Sequence, residues 1–167
     1  VGVTIPFAFF YQNQLITDVT LADNGAVLLG TQFGTLGFGN GALGTQQQGI
    51  YAFWDDIEPN LGDIYYQTIG TAPNQQFIVQ WNEYSPWNAS GGGTWQVVMD
   101  EATAEIYVIY DDVEFNGGGQ DFGGSATLGI DGPTAIQHSL NNTQYLTDNS
   151  CSHYFYTNCP LPVNYSV

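Results

Sequence analysis

One acidic segment places oxygen ligands close enough together for metal chemistry. It lies between residues 55 and 63 and supplies four carboxylates and one carboxamide. Calcium takes about six to eight oxygens from carboxylates, amides and backbone carbonyls. The spacing is not that of an EF-hand loop, so the segment predicts either a Ca²⁺ site or a turn whose Asp side chains accept backbone N–H groups. A second acidic cluster, residues 111–114, would add ligands if the fold brings it near. The candidate ligands are Asp55, Asp56, Glu58, Asn60 and Asp63.

Paired carboxylates also serve glycoside hydrolysis, in which two acids flank the sugar bond. Because the chain has 16 Asp and Glu residues, some close pair is inevitable and discriminates little. The two neutral-pH bases, His138 and His153, belong to no Ser-His-Asp or Cys-His motif. The chain also has no Lys or Arg to bind an oxyanion or an anionic substrate. The sequence therefore predicts a protein that is not an enzyme.

Three aromatic residues near the end of one predicted strand, Trp81, Tyr84 and Trp87, are candidates for a sugar-stacking platform. The alternative is that Trp81 belongs to the core and Trp87 covers the sandwich edge. The residues themselves leave both interpretations open.

Two cysteines, Cys151 and Cys159, lie eight positions apart near the C-terminus. A disulfide between them is the ordinary expectation in an oxidising compartment, whereas a zinc site would need further ligands such as His153. Asparagine in N-x-Ser/Thr triplets marks candidate glycosylation sites. These triplets begin at Asn88, Asn141 and Asn164.

The charge composition excludes some partners. With no Lys or Arg, a formal net charge of −16 leaves nothing to neutralise phosphates, so nucleic acid is excluded and an anionic bilayer is disfavoured. No transmembrane stretch or signal peptide is visible, and the N-terminus lacks an initiator Met. We expect a secreted chain without direct membrane insertion, in which carboxylates face water, hydrogen-bond donors or metal ions.

Short strands separated by turn signals follow one another along most of the chain. Residues 76–84 alternate well, with Phe77, Val79 and Trp81 on one face. A hairpin turn is predicted at residues 23–25 and a polar, glycine-rich loop at residues 30–49. Because no stretch shows helical periodicity, the pattern predicts an all-β fold, an antiparallel, jelly-roll-like β-sandwich.

Several segments between residues 5 and 131, in the same order, resemble a module of large secreted bacterial and archaeal proteins that is similar to the nidogen-like extracellular domain. The most specific are residues 53–56 (FWDD) and 77–82 (FIVQWN). The resemblance implies a β-sandwich used for adhesion or as a scaffold, with no known catalytic role. Gln75 and Gln76 stand where such modules often carry Arg or Lys, and the C-terminal tail lies outside the resemblance. The other segments are 5–11, 62–68, 72–76, 95–99 and 126–130.

We therefore expect a nidogen-like domain over residues 1–133 and a disulfide-bearing tail, 134–167, that packs on the sandwich or on a neighbouring subunit. The apolar first strand and the tail are segments that strand exchange between subunits would use. The leading hypothesis is an extracellular or cell-surface structural protein, a self-assembling, calcium-stabilised subunit of a filament, sheath or surface layer. The alternative is a carbohydrate-binding or cell-adhesion module of a larger secreted protein.

Overall fold

The computed structural model describes residues 1–30, 36–141 and 143–155 of the chain. Its regular structure consists of twelve strands and one short 3₁₀ turn, Asp121–Gly123. Within these residues no helix has the length and apolar character needed to cross a membrane. The strands are β1 (Gly2–Tyr11), β2 (Gln14–Ala22), β3 (Ala26–Leu29), β4 (Gly49–Trp54), β5 (Ile57–Pro59), β6 (Ile64–Thr71), β7 (Asn74–Pro86), β8 (Gly93–Asp100), β9 (Ile106–Asp112), β10 (Thr127–Asp131), β11 (Ile136–Ser139) and β12 (Ser150–Tyr154).

The strands form two antiparallel six-stranded sheets that face each other. The first sheet has the order β1-β2-β3-β4-β10-β11, and the second has the order β12-β9-β8-β7. The long strand β7 carries two partners along its outer side, since β6 pairs with its first part and β5 with its last three residues. The predicted all-β sandwich is confirmed, and β6 with β5 forms one edge of the second sheet.

Side-chain alternation decides which face of each strand meets the opposite sheet. In β7, Phe77, Val79 and Trp81 are buried, whereas Ile78 and Gln80 between them are partly exposed. The Trp81 ring stacks on that of Trp95 in β8, with centroids 6.1 Å apart and planes at 12°. Burying each large apolar side chain stabilises the fold by roughly 1.5–3 kcal/mol, so these alternating positions hold the two sheets together.

The predicted hairpin turn at residues 23–25 is confirmed, because Ala22 of β2 pairs with Ala26 of β3. Gly25 has φ +81°, and a Cβ there would stand 1.9 Å from the carbonyl oxygen of Phe53. That region of φ favours glycine, and the close approach leaves no room for a side chain. Glycine therefore allows β4 to pass directly beside the turn.

The predicted loop at residues 30–49 covers the outer face of the first sheet, although residues 31–35 lie outside the described part of the chain. It encloses a small second core around Tyr51 and Trp54. The Trp54 indole donates to the carbonyl of Gly37 at 2.8 Å, and the Tyr51 hydroxyl donates to a backbone carbonyl of the loop at 2.7 Å. Ring packing and hydrogen bonds thus hold this glycine-rich segment against the sheet.

The segment that follows residue 133 contributes to both sheets. Its first strand, β11, extends the first sheet beside β10, and β12 extends the second beside β9. Between them, Leu146 is buried in the main core, as is Tyr154 of β12. The tail is therefore part of the sandwich as far as residue 155, and residues 156–167 lie outside the described part.

Candidate functional site

The acidic segment at residues 55–63 forms a short strand at its centre and carries hydrogen-bonded Asp side chains at both ends. Its centre forms the strand β5, and Asp55 points inward, accepting hydrogen bonds from the Ser125 hydroxyl and, at 2.8 Å, from the Asp56 amide. Asp63 accepts from the amide of Ile64 at 2.8 Å, where β6 begins. The turn in which Asp side chains bond backbone amides, the alternative weighed from the sequence, is present at both ends of the segment.

Burial is the largest influence on the Asp55 carboxyl and raises its pKa, although the hydrogen bonds from Ser125 and Asp56 partly offset this. A desolvated carboxylate loses hydration that hydrogen bonds only partly replace. Asp55 therefore acts mainly as an acceptor that ties β4 to the segment before β10.

The second acidic cluster lines a cleft of about 440 Å³ at the end of β9. Asp148, from the segment before β12, joins it there, a placement that sequence spacing cannot show. The Asp148 carboxylate accepts a hydrogen bond from the Val113 amide at 2.9 Å, and the Asp112 carboxylate accepts one from the Glu114 amide at 2.9 Å. The lining residues are Asp111, Asp112, Glu114, Asn116, Asp148 and Asn149.

Neither acidic region assembles a metal centre among the described residues, since no three His, Cys, Asp or Glu side chains are grouped to hold an ion there. In these two regions, each of four carboxylates accepts a hydrogen bond from a backbone amide, namely Asp55, Asp63, Asp112 and Asp148. The Ca²⁺ site stays a prediction.

The three aromatic candidates differ in exposure. Trp81 and Tyr84 are buried in the core, and the Trp81 indole donates to the carbonyl of Ala22 at 3.2 Å. Trp87, which follows β7, is 54% exposed. A sugar ring could therefore stack on Trp87 but not on a platform of all three.

The described candidate modification sites lie at the surface. Asn88 and Asn141 are exposed, and both have a positive φ. Cys151 is an exposed residue of β12. Asn164 and Cys159 lie outside the described residues, so the disulfide and the glycosylation sites stay predictions.

His153 of β12 takes part in a local contact on the outer face of the second sheet. Its ring stacks on Tyr107 with centroids 4.3 Å apart, and its Nε2 lies 3.1 Å from Glu105 Oε2. The Tyr107 hydroxyl donates to the same carboxylate at 2.5 Å, which raises the pKa of Tyr107 to about 12. The group therefore joins β9 to β12, and it gives His153 a carboxylate partner.

Among the described residues, β6 is the longest edge strand of the second sheet with no further strand beside it. Its eight residues pair in unbroken register with β7, from Ile64 opposite Trp81 to Thr71 opposite Asn74. Its exposed side chains include Tyr66, which is 54% exposed, and the strand contains neither a charged residue nor a proline. Unpaired backbone groups on such an edge are a template for pairing with another strand.

The other described edges are shorter or interrupted. In β1, Pro6 lacks a backbone donor, and the pairing with β2 is irregular between Thr4 and Phe9. β5 has three residues and ends at Pro59, β11 has four residues, and β12 has five. Prolines, irregular pairing and short length are the devices by which proteins blunt sheet edges, and β6 carries none of them.

The two central rows of residues on the outer face of the second sheet contain no Asp or Glu. These rows of side chains cross the five strands from β6 to β12. Acidic residues of these strands lie toward the strand ends, as Asp100 and Asp111 do. One row is Tyr65, Gln80, Gln96, Ile109 and Cys151, and the other is Gln67, Ile78, Val98, Tyr107 and His153.

Two facing antiparallel sheets define this chain as a β-sandwich domain. A family profile described as NIDO related matches residues 1–160, and the chain belongs to this nidogen-related family. The match confirms the resemblance and extends it beyond residues 5–131 at both ends. Searches of curated proteins and of solved structures give no match. Members of the family are typically extracellular.

Proposed function

We propose that this chain is an extracellular structural module that assembles with copies of itself into a filament, sheath or surface layer by joining sheet edges. The observation that carries the proposal is the free edge of β6, eight residues long, uncharged and regular in register. A strand added there would satisfy backbone N–H and C=O groups and would need no special side chains.

The charge distribution supports a second copy as the partner. Each copy carries a formal −16, so most contacts between copies would oppose carboxylates. The β6–β7 hairpin contains no Asp or Glu between Asp63 and Glu83. Two copies can meet along this edge with little of the repulsion that acts elsewhere.

A polymer needs a second edge, because β6 pairing with β6 would close a two-fold dimer. The opposite edge of the second sheet, β12, has five residues without Asp or Glu. Pairing of β6 in one copy with β12 in the next is head-to-tail and leaves a free edge at each end. This arrangement continues the second sheet from copy to copy, as a filament requires.

The ends of the chain support strand exchange less directly. β1 pairs with β2 of its own chain, and Ile5, Phe7, Phe9 and Tyr11 are buried. Releasing this strand would expose four large side chains to water. Addition at the free β6 edge needs no such release.

The test is the assembly state of the native protein, measured by light scattering and negative-stain electron microscopy. We expect filaments or sheets, and we expect Gln67→Glu with Ile69→Glu to disperse them, because both changes place charge on β6. Gln14→Glu with Leu15→Glu is the matched control, since it makes the same kind of change on exposed residues of β2.

The outcomes separate the parts of the proposal. Monomers of the unmodified protein at high concentration would rule out self-assembly, and two-fold dimers alone would rule out the filament. Filaments that survive the β6 substitutions would show that another surface joins the copies.

A further inference from the structure

The centre of the outer face of the second sheet contains a chain of carboxamides. Gln96 Nε2 donates to Gln80 Oε1 at 2.6 Å, and Gln80 Nε2 donates to Asn82 Oδ1 at 3.0 Å. Each of the first two amides therefore has its orientation set by the next. In the described part of the chain, Gln96 Oε1 accepts no hydrogen bond and Asn82 Nδ2 donates none. The chain of amides thus ends in one acceptor and one donor for a ligand.

An aromatic ring adjoins these amides. Tyr65 of β6 is the cross-strand neighbour of Gln80, and it is 56% exposed. On the far side of Gln96, Ile109 continues the row and is 39% exposed. With strands about 4.8 Å apart, the row from β6 to β12 spans roughly 19 Å. The site is a strip of ring, amide and aliphatic surface rather than an enclosed pocket.

The composition of the strip restricts what can bind to it. An anionic ligand would meet no Lys or Arg anywhere in a chain of formal charge −16. A cationic ligand would find no carboxylate among the residues of the strip, and the carboxylate beside the second row, Glu105, is already bonded to Tyr107 and His153. A wholly apolar partner would bury Gln80 and Gln96 without replacing their contacts with water, which is unfavourable.

We propose that this strip binds a neutral polysaccharide chain. A pyranose ring has an apolar C–H face that stacks on an aromatic ring and hydroxyl groups that both donate and accept hydrogen bonds. Tyr65 stacks one sugar unit, and Gln96 Oε1 and Asn82 Nδ2 bond the hydroxyls of its neighbours. The ligand is an extended, flat chain, as a β-1,4-linked glucan is, because the strip crosses five strands on an open sheet face. This site is separate from Trp87, and it does not depend on self-assembly.

The experiment is native gel electrophoresis of the full chain in gels that contain hydroxyethylcellulose, a neutral polymer, or carboxymethylcellulose, its acidic counterpart. We expect retardation by the neutral polymer and none by the acidic one. Tyr65→Ala, which removes the stacking ring, and Gln80→Ala, which removes the amide that orients Gln96 and Asn82, should each weaken binding about tenfold.

Two controls identify the surface. Tyr66→Ala removes the next ring of the same strand, which points to the opposite side of the sheet, and Trp87→Ala removes an exposed ring elsewhere. Both should bind as the unmodified chain does. If a change in assembly caused the loss, Tyr66→Ala would weaken binding as much as Tyr65→Ala. That result would overturn the proposal, as would the absence of retardation by the neutral polymer.

Discussion

At the scale of single residues, Asp55 shows how this chain accommodates carboxylates without basic side chains. The side chain accepts a hydrogen bond from the Ser125 hydroxyl, at the end of the paired strands β4 and β10, and another from the Asp56 amide. Burial nevertheless raises its pKa above the usual value. A group whose pKa is raised on folding contributes stability below its unfolded pKa, about 3.9 for Asp, and loses that contribution as pH rises through the folded value.

The free energy of unfolding of Asp55→Asn should therefore increase relative to that of the unmodified chain as pH rises from about 4 to 7. The amide keeps an oxygen to accept the two hydrogen bonds and carries no charge that burial penalises. Urea denaturation at a series of pH values gives the free energy of unfolding of both proteins. Glu58→Gln, an exposed position in the same segment, reports the effect of removing one negative charge. If the difference in the free energy of unfolding between Asp55→Asn and the unmodified chain stays constant from about pH 4 to 7, the role assigned to burial is contradicted.

At the scale of elements, the strands after residue 133 are needed by both sheets. Leu146 is 6% exposed and lies in the core between β11 and β12. Leu146→Ala should lower the free energy of unfolding by about 2–3 kcal/mol, because it removes buried methyl groups and leaves a cavity. Chemical denaturation of the full chain measures the loss. Leu61→Ala, at a position 86% exposed, should change the value by less than about 0.5 kcal/mol.

The same elements bear on the domain boundary expected at residue 133. A chain that ends there lacks β11 and β12 and exposes the sides of β10 and β9. We attribute part of the core to the tail, so a shortened chain with the full stability of the complete one would contradict that view.

At the scale of the whole molecule, self-repulsion dominates the electrostatics. Sixteen acidic residues face no Lys or Arg, and the one contact of salt-bridge geometry in the described residues joins Glu105 to a histidine, His153. At physiological ionic strength, salt screens the repulsion between exposed charges that are more than about 8–10 Å apart. Added NaCl should therefore raise the melting temperature by on the order of a few degrees. Thermal denaturation between low and high NaCl concentration tests this. A melting temperature that is independent of salt would mean that the carboxylates are too far apart to repel.

Calcium extends the same experiment. At equal ionic strength, CaCl₂ should raise the melting temperature more than MgCl₂ does if the Ca²⁺ site predicted from the sequence forms, since the flexible coordination of Ca²⁺ suits irregular oxygen clusters. Equal effects of the two salts would show screening alone and would contradict the predicted Ca²⁺ site.

The sequence by itself determined the fold class, because alternation and turn chemistry are local properties of the chain. Residues 76–84 alternate between core and surface, and Gly25 marks a turn that only a residue without Cβ can make there. The aromatic and acidic segments likewise carried the family resemblance. The strands of the tail escaped notice, since β11 and β12 are short, polar and defined by the edges on which they pair.

Only the tertiary structure decided which surfaces are free. Spacing along the chain suggested a platform of Trp81, Tyr84 and Trp87, but Trp81 and Tyr84 are buried in the core. The edge of β6 is exposed because β5 and β6 both pair with the same side of β7. Tyr65, Gln80 and Gln96 lie side by side because β6, β7 and β8 pair in register. Edge position and cross-strand register depend on contacts between distant segments, which no local pattern encodes.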